Sequence, residues 1–283
     1  AWVRTQAGMG ADVEQAVEKG KSQFVGPELM GKTLGVVGLG AIGVQVANIA
    51  TKLGMTVYGY DPFLSVDAAL SLSRLVHRAL DLETIYKNCD YITVHVPLTP
   101  DTRGMICTDS IQMMKGGVRI LNLARGGLVN DDDMLLALES GKVAAYVTDF
   151  PNNKIVQGKN VIPIPHLGAS SPESEENCAV MAAQQLREYL ENGNIKNSVN
   201  LPTLEQEWSG IARLCIIHRN IPGTIAGITK VLSEENVNVE NMTNKSKKDY
   251  AYTVVDINAK IKDLVVDEIR AIDGVLRVRF LSH

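Results

Sequence analysis

Thr33-Leu34-Gly35-Val36-Val37-Gly38-Leu39-Gly40-Ala41-Ile42-Gly43 sets the fold of the chain around it. Leu34 to Val37 is a short apolar run, the signature of a buried strand. It ends in Gly38-x-Gly40-x-x-Gly43, and an amphipathic helix, Val44 to Leu53, follows without a break. Gly38 permits a tight turn, Gly40 lets backbone approach a pyrophosphate, and Gly43 lets helix and strand pack closely. The N–H groups of Ala41, Ile42 and Gly43 and the positive end of the helix dipole then face the phosphates. Alone the glycine pattern is weak, because glycine-rich turns are common. Here the next strand, Thr56 to Tyr60, delivers Asp61, where a carboxylate can accept from adenosine ribose hydroxyls. That order predicts a dinucleotide site. Asp61 would repel a 2′-phosphate, which makes NAD the expected cofactor.

The 283 residues allow about two domains with their own cores. With 45% hydrophobic and 21% charged residues, the composition is that of an ordinary globular protein. A net charge of −4 argues against nucleic acid, and no apolar run reaches the roughly 18 residues of a membrane span. Cys89, Cys107, Cys178 and Cys215 are scattered, so they read as reduced, mostly buried cytoplasmic thiols with no disulfide framework and no metal site. The opening Ala1-Trp2-Val3-Arg4 leads into polar residues and not into a secretory apolar core.

Residues 1–24 read as one polar helix and a lead-in. Residues 25–169 alternate strands with helices, which predicts a Rossmann-type, doubly wound parallel sheet. Its later parts are a weakly helical stretch near 68–79, a helix from Glu83 to Asn88 and a strand from Tyr91 to Pro97. A helix capped by Asp109, a strand from Val118 to Asn122, a helix from Asp131 to Ser140 and strands at Val143 to Asp149 and Val161 to Ile164 complete it. Ser171 and Pro172 start a helix over 170–193 that Gly193 ends. Residues 194–210 are polar and irregular, a linker. From 211 to 283 the order is strand, helix, strand, strand, helix, strand, a ferredoxin-like α+β unit with helices on one face of an antiparallel sheet.

Two residues stand where open α/β sheets place chemistry, beyond strand C-termini. Arg125 follows Val118 to Asn122, and its guanidinium can clamp a substrate carboxylate bidentately. The plainer reading pairs it with a surface acid. His166 follows Val161 to Ile164, and its imidazole can take a hydroxyl proton while hydride leaves the same carbon; Gly168 would admit close backbone or ligand. The plainer reading is a histidine satisfied by loop hydrogen bonds.

Taken together, Gly38-x-Gly40-x-x-Gly43 with Asp61, His95-Val96-Pro97-Leu98-Thr99, Ala124-Arg125-Gly126-Gly127, Asp149-Phe150-Pro151 and Pro165-His166-Leu167-Gly168-Ala169 resemble the D-isomer-specific 2-hydroxyacid dehydrogenases. The C-terminal unit resembles an ACT domain, a small ligand-sensing module. The resemblance implies that Arg125 binds the substrate carboxylate and C2 oxygen and that His166 is the acid/base. It further implies that Asp149 accepts from the nicotinamide carboxamide and that Pro97, Thr102 and Ala124 line the cofactor cleft. Pro97 can equally just end a strand, Thr102 shape a turn, and Asp149 be an ordinary turn carboxylate. The ACT unit narrows the resemblance to members oxidising a phosphorylated three-carbon 2-hydroxy acid on the route to serine. In serine-sensitive members, positions matching His218, Asn220 and Asn238 bind L-serine between paired ACT domains, which implies a homodimer or homotetramer.

The chain departs from the family in two places. Asn153 stands where the family usually has a glutamate paired with the catalytic histidine. The family also carries a longer stretch ahead of the nucleotide domain, holding most of the substrate domain and its phosphate-binding cations. The expectation is a cofactor fold and a sensor domain without much of the substrate cleft. Alternatives are a dehydrogenase for glycerate or lactate and a non-catalytic NAD-sensing protein on the same fold.

Overall fold

The structure is a computed structural model and describes residues 2–7 and 12–282. Two compact units divide the chain, residues Ala1–Leu167 and Gly168–His283. In the first, β-branched runs alternate with helices as follows: α1 (Trp2–Thr5), α2 (Val13–Gly20), β1 (Thr33–Val37), α3 (Ala41–Lys52), β2 (Thr56–Tyr60), α4 (Val66–Ser71), β3 (Val76–Arg78), α5 (Leu82–Asn88), β4 (Tyr91–Val94), α6 (Thr108–Met113), β5 (Val118–Asn122), α7 (Asp131–Glu139), β6 (Val143–Thr148) and β7 (Val161–Pro163). The strands form one parallel sheet in the order β3-β2-β1-β4-β5-β6-β7. The order reverses between β1 and β4, which opens a crevice at the strand C-termini there.

Both faces of this sheet are covered. Leu34 and Val36 of β1 pack with Val44, Ala47 and Ala50 of α3, whereas Val37 joins Ile85 and Tyr86 of α5 and Met134 of α7 on the other side. The weakly helical stretch expected near 68–79 divides into α4 and the edge strand β3, which pairs with β2 from Val57↔Val76 to Gly59↔Arg78. Three residues are too short a run to show a period. Helix α6 starts at Thr108, one residue before the expected cap: Ser110 Oγ accepts from the Cys107 N–H at 2.9 Å, and Asp133 Oδ2 accepts from the Thr108 N–H at 2.8 Å. The helix expected over 1–24 is α1, α2 and a 3₁₀ turn at Lys21–Phe24, with residues 1 and 8–11 outside the described residues.

The second unit begins with α8 (Pro172–Asn192), started by Ser171 Oγ accepting from the Ser174 N–H and ended by Gly193 at φ +73°. Then come β8 (Ala212–Arg219), α9 (Thr224–Glu234), β9 (Val239–Lys247), β10 (Tyr250–Ile257), α10 (Asp263–Ala271) and β11 (Val275–Ser282). The antiparallel sheet runs β11-β8-β10-β9. Ile228 and Leu232 of α9 and Val266 and Ile269 of α10 cover one face. The other face is covered too. Cys215, Tyr252 and Val254 pack against Ile195 and Leu204, flanked by Tyr189 and Leu201. Residues 194–210 are thus irregular but packed onto the sheet, with Ile195 and Leu204 exchanging both backbone hydrogen bonds at 2.9 Å.

A helix leaves its last four carbonyls without intrahelical donors. Three sheet residues donate to carbonyls at the end of α8 and at its cap. Arg279 donates to Tyr189 O and Leu190 O, both at 2.8 Å; Arg213 donates to Asn192 O at 2.7 Å; and the Tyr252 hydroxyl donates to Gly193 O at 2.6 Å. Among the described residues, no helix is long and apolar enough to cross a membrane.

Candidate active site

The glycine turn after β1 is close-packed at two of its three glycines. Gly38 sits at φ +93°, and a Cβ there would lie 2.6 Å from His95 O. A Cβ at Gly43 would lie 1.9 Å from Gly38 O, so α3 approaches β1 as closely as backbone allows. A Cβ at Gly40 would meet nothing within 4 Å. Gly40 is the N-cap of α3 and puts no side chain over the amides of Ala41, Ile42 and Gly43. Those amides and an open approach suit a pyrophosphate. Asp61 Oδ2 accepts from the Leu39 N–H and Oδ1 from the Phe63 N–H, both at 2.8 Å, which leaves each oxygen a further lone pair.

Ile42, His95, Val96, Pro97, Leu123, Ala124 and Arg125 line a cleft of about 300 Å³ beside this turn. It brings together the expected Ile42, Pro97, Ala124 and Arg125. Thr102 is not among its walls. Its hydroxyl donates to Pro97 O at 2.6 Å and accepts from the Thr99 N–H at 2.8 Å, so it braces the turn that carries Pro97. His95, which the sequence offered only as part of a motif, places Nε2 3.0 Å from Thr93 Oγ1. Burial holds its imidazole below the usual range, so it stands neutral in the cleft at pH 7. A groove of about 380 Å³ in the second unit, along Glu188, Asn194, Lys196 and Glu205, contains none of the expected site residues.

Arg125 is exposed, and among the described residues no carboxylate pairs with it. Among the described residues its guanidinium makes one hydrogen bond, from Nη1 to Ala124 O at 2.7 Å. The turn beneath it is held by Asn122, buried at the end of β5, which donates to Arg125 O at 3.0 Å and accepts from the Ala124 N–H at 3.3 Å. A polar residue closing an apolar strand was the signal for Asn122. Phe150 connects the two chemical candidates: a Cβ at Gly126 would lie 3.6 Å from Phe150 Cβ, and the Phe150 ring meets the His166 imidazole edge-on at 4.6 Å and 85°.

His166 is 54% exposed, and its Nδ1 lies 4.0 Å from Oδ2 of Asp149, which is 9% exposed. Asp149 Oδ1 is buried and has no hydrogen-bond partner among the described residues. Asn153 is exposed in the turn before the 3₁₀ segment Ile155–Gln157. No neighbour demands glycine at 168, where a Cβ would meet nothing within 4 Å.

In the second unit His218 stands in the first strand of the sheet. It lies within β8 and not in the following loop, 2% exposed, with Nδ1 2.8 Å from Arg219 O and Nε2 2.8 Å from Thr253 Oγ1. Both ring nitrogens are engaged inside the sheet. Asn220 is exposed and donates to Lys248 O at 3.2 Å; Asn238 is exposed and donates to Glu240 Oε1 at 3.1 Å. The register separates these two. Asn220 follows Arg219, which pairs with Tyr250, whereas Asn238 precedes Val239, which pairs with Ile257. Seven strand steps lie between those ends, roughly 23 Å.

The first unit therefore offers an open helix N-terminus, a ribose-side carboxylate and a buried carboxylate oxygen in need of a donor. This set fits a nicotinamide dinucleotide. Comparison with known proteins agrees. The family model for the D-isomer specific 2-hydroxyacid dehydrogenase NAD binding domain matches residues 1–168, and that for the ACT domain matches 207–279. D-3-phosphoglycerate dehydrogenase of Haemophilus influenzae is 33% identical over 92% of this chain, which covers 65% of that relative. The enzyme of the same name from Methanocaldococcus jannaschii is 39% identical over 67% of this chain and 37% of its own length. Among solved structures, D-lactate dehydrogenase from Aquifex aeolicus, complexed with NAD and lactic acid, matches with a TM-score of 0.53 and 27% identity, over 63% of this chain and 60% of that one. The chain spans between about a third and two thirds of the curated relatives it matches. The first unit is an NAD-binding domain of this family, and the second carries an ACT domain.

Proposed function

We propose that this chain, which belongs to the D-isomer-specific 2-hydroxyacid dehydrogenases, is the cofactor-binding and regulatory part of an enzyme that oxidises D-3-phosphoglycerate to 3-phosphohydroxypyruvate. The observation that carries the reading is Arg125, a guanidinium without an acidic partner among the described residues, at the C-terminal end of β5, on the wall of the cleft next to the glycine turn. NAD, when bound, supplies the hydride acceptor. The chain's own residues do the rest. Arg125 receives the substrate carboxylate in a bidentate pair and draws density from the C2 oxygen. His166, exposed at its outer edge and backed by Phe150, takes the C2 hydroxyl proton on Nε2. The test is reduction of NAD with D-3-phosphoglycerate, D-glycerate and D-lactate in turn. The reading expects the phosphorylated acid to be preferred, and fails if an unphosphorylated acid is oxidised at an equal or higher rate.

The ACT unit is read as a sensor of L-serine that acts through a pair of copies. Asn220 and Asn238 are too far apart in one chain to hold a single amino acid. Strand β9 is a sheet edge, and antiparallel pairing of two such edges would bring Asn238 of one copy toward Asn220 of the other. The buried, engaged His218 supports the Asn220 loop and does not itself face the ligand. Sedimentation equilibrium tests this: L-serine should strengthen association, and Asn238→Ala should abolish the effect. A monomer that binds L-serine with unchanged affinity would rule it out.

A further inference from the structure

We propose that Asp149 is the positioning residue of His166, taking over the work of the glutamate that Asn153 replaces. The inference rests on His166 as proton acceptor. The two side chains follow the C-terminal ends of adjacent parallel strands, β6 and β7, paired at Thr148↔Pro163. The Ile164 N–H donates to Thr148 O at 2.9 Å and ties the strand ends together, so the backbone fixes the spacing between Asp149 and His166. That spacing is 4.0 Å from Oδ2 to Nδ1, too long for a hydrogen bond and short enough for a small side-chain rotation to make one. Catalytic hydrogen bonds often tighten in this way when ligands bind. Phe150, edge-on to the imidazole, limits the directions in which the ring can turn.

The loop around Asn153 is committed elsewhere. Asn152 Nδ2 donates to Asp131 Oδ2 at 2.6 Å, Asn152 Oδ1 accepts from the N–H groups of Lys154 and Ile155, and Lys154 pairs with Asp132. Asp131 and Asp132 are thereby occupied on α7, and among the described residues the carboxylate within reach of His166 is Asp149. A carboxylate this buried needs donors, and Oδ1 has none among the described residues. One carboxylate can serve two: Oδ2 takes the His166 Nδ1–H, and Oδ1 stays available to an amide of the bound cofactor. A proton held on Nδ1 leaves the Nε2 lone pair for the substrate hydroxyl.

Nitrogen NMR of the imidazole, at a pH where the ring is neutral, reads the tautomer without substrate. Wild type should show the Nδ1–H form. Asp149→Asn, nearly isosteric but able to turn an amide N–H toward Nδ1, should shift His166 to the Nε2–H form and lower kcat by about 10²- to 10⁴-fold. Asp149→Glu should restore the Nδ1–H form. Equal tautomer ratios in wild type and Asp149→Asn would overturn the assignment. Calorimetry of NAD binding to wild type separates the two readings. Binding with an unmoved tautomer removes only Asp149's role, whereas no binding removes the dehydrogenase reading itself.

Discussion

Arg213 and Asp256 face each other across β8 and β10 as a bidentate ion pair, Nε to Oδ1 at 2.5 Å and Nη2 to Oδ2 at 2.8 Å, with neither side chain exposed to solvent. Gln206 and Ser209 donate to the same carboxylate, and the Arg213 guanidinium lies over the Trp208 ring at 4.7 Å. The pair thus ties residues 206–209 and the end of α8 to the ACT sheet. Removing one partner leaves a buried charge alone. Arg213→Met should destabilise the second unit by about 3–5 kcal/mol in denaturant unfolding, and adding Asp256→Leu should recover much of that loss. Equal stability of wild type and the single variant would contradict this.

The same pair predicts the acid behaviour of this unit. Burial opposes ionisation of Asp256, but the donors from Arg213, Gln206 and Ser209 outweigh it and hold its carboxyl below the usual carboxylate range. A carboxylate depressed in the folded state contributes stability that is complete above the unfolded value of about 3.9 and is lost as pH falls through the folded value. Thermal melts of the chain should therefore show stability falling steeply below about pH 4. Asp256→Asn should flatten that slope. An unchanged slope in the variant would assign the acid sensitivity elsewhere.

Gly40 and Gly43 separate ligand contact from packing. A Cβ at Gly43 collides with Gly38 O, so Gly43→Ala should cost both stability and NAD binding. A Cβ at Gly40 meets only open space, so Gly40→Ala should keep the melting temperature within a few degrees yet weaken NAD at least tenfold, about 1.4 kcal/mol. If Gly40→Ala binds NAD like wild type in calorimetry, the phosphates lie elsewhere.

Asp61 sets cofactor choice. Its two oxygens already hold the Leu39 and Phe63 amides and have one further lone pair each for ribose hydroxyls. A 2′-phosphate would meet a fixed carboxylate. NAD should bind better than NADP by about 1–3 kcal/mol, the scale of leaving a buried polar group badly paired. Similar affinities for the two nucleotides would refute this.

The parallel sheet was legible in the sequence because its strands are continuous apolar runs punctuated by glycine and its helices have one apolar face. Residues 194–210 were not. Ile195, Leu201 and Leu204 follow neither a helical nor a strand period, and only tertiary contact with Cys215, Tyr252 and Val254 makes them core. Arg125 and His166 could be named from their places after strands. Asn122 left only the faint signal of a polar residue closing an apolar strand, and Phe150 none beyond its motif, because what they do is hold other residues. His218 falls in the first strand of the 211–283 unit, but that both its ring nitrogens are engaged there was not legible, because Thr253, its hydrogen-bond partner, lies on another strand, β10.

Reduction of NAD by D-3-phosphoglycerate, followed by the absorbance of the reduced nicotinamide in wild type and His166→Ala, tests the account most directly. In the enzyme of which this chain is the cofactor-binding and regulatory part, wild type should turn over, and His166→Ala should bind NAD with wild-type affinity but react about 10²- to 10⁴-fold more slowly, the loss of a general base. Equal rates in the two proteins, or no binding of NAD by the wild type, would contradict it.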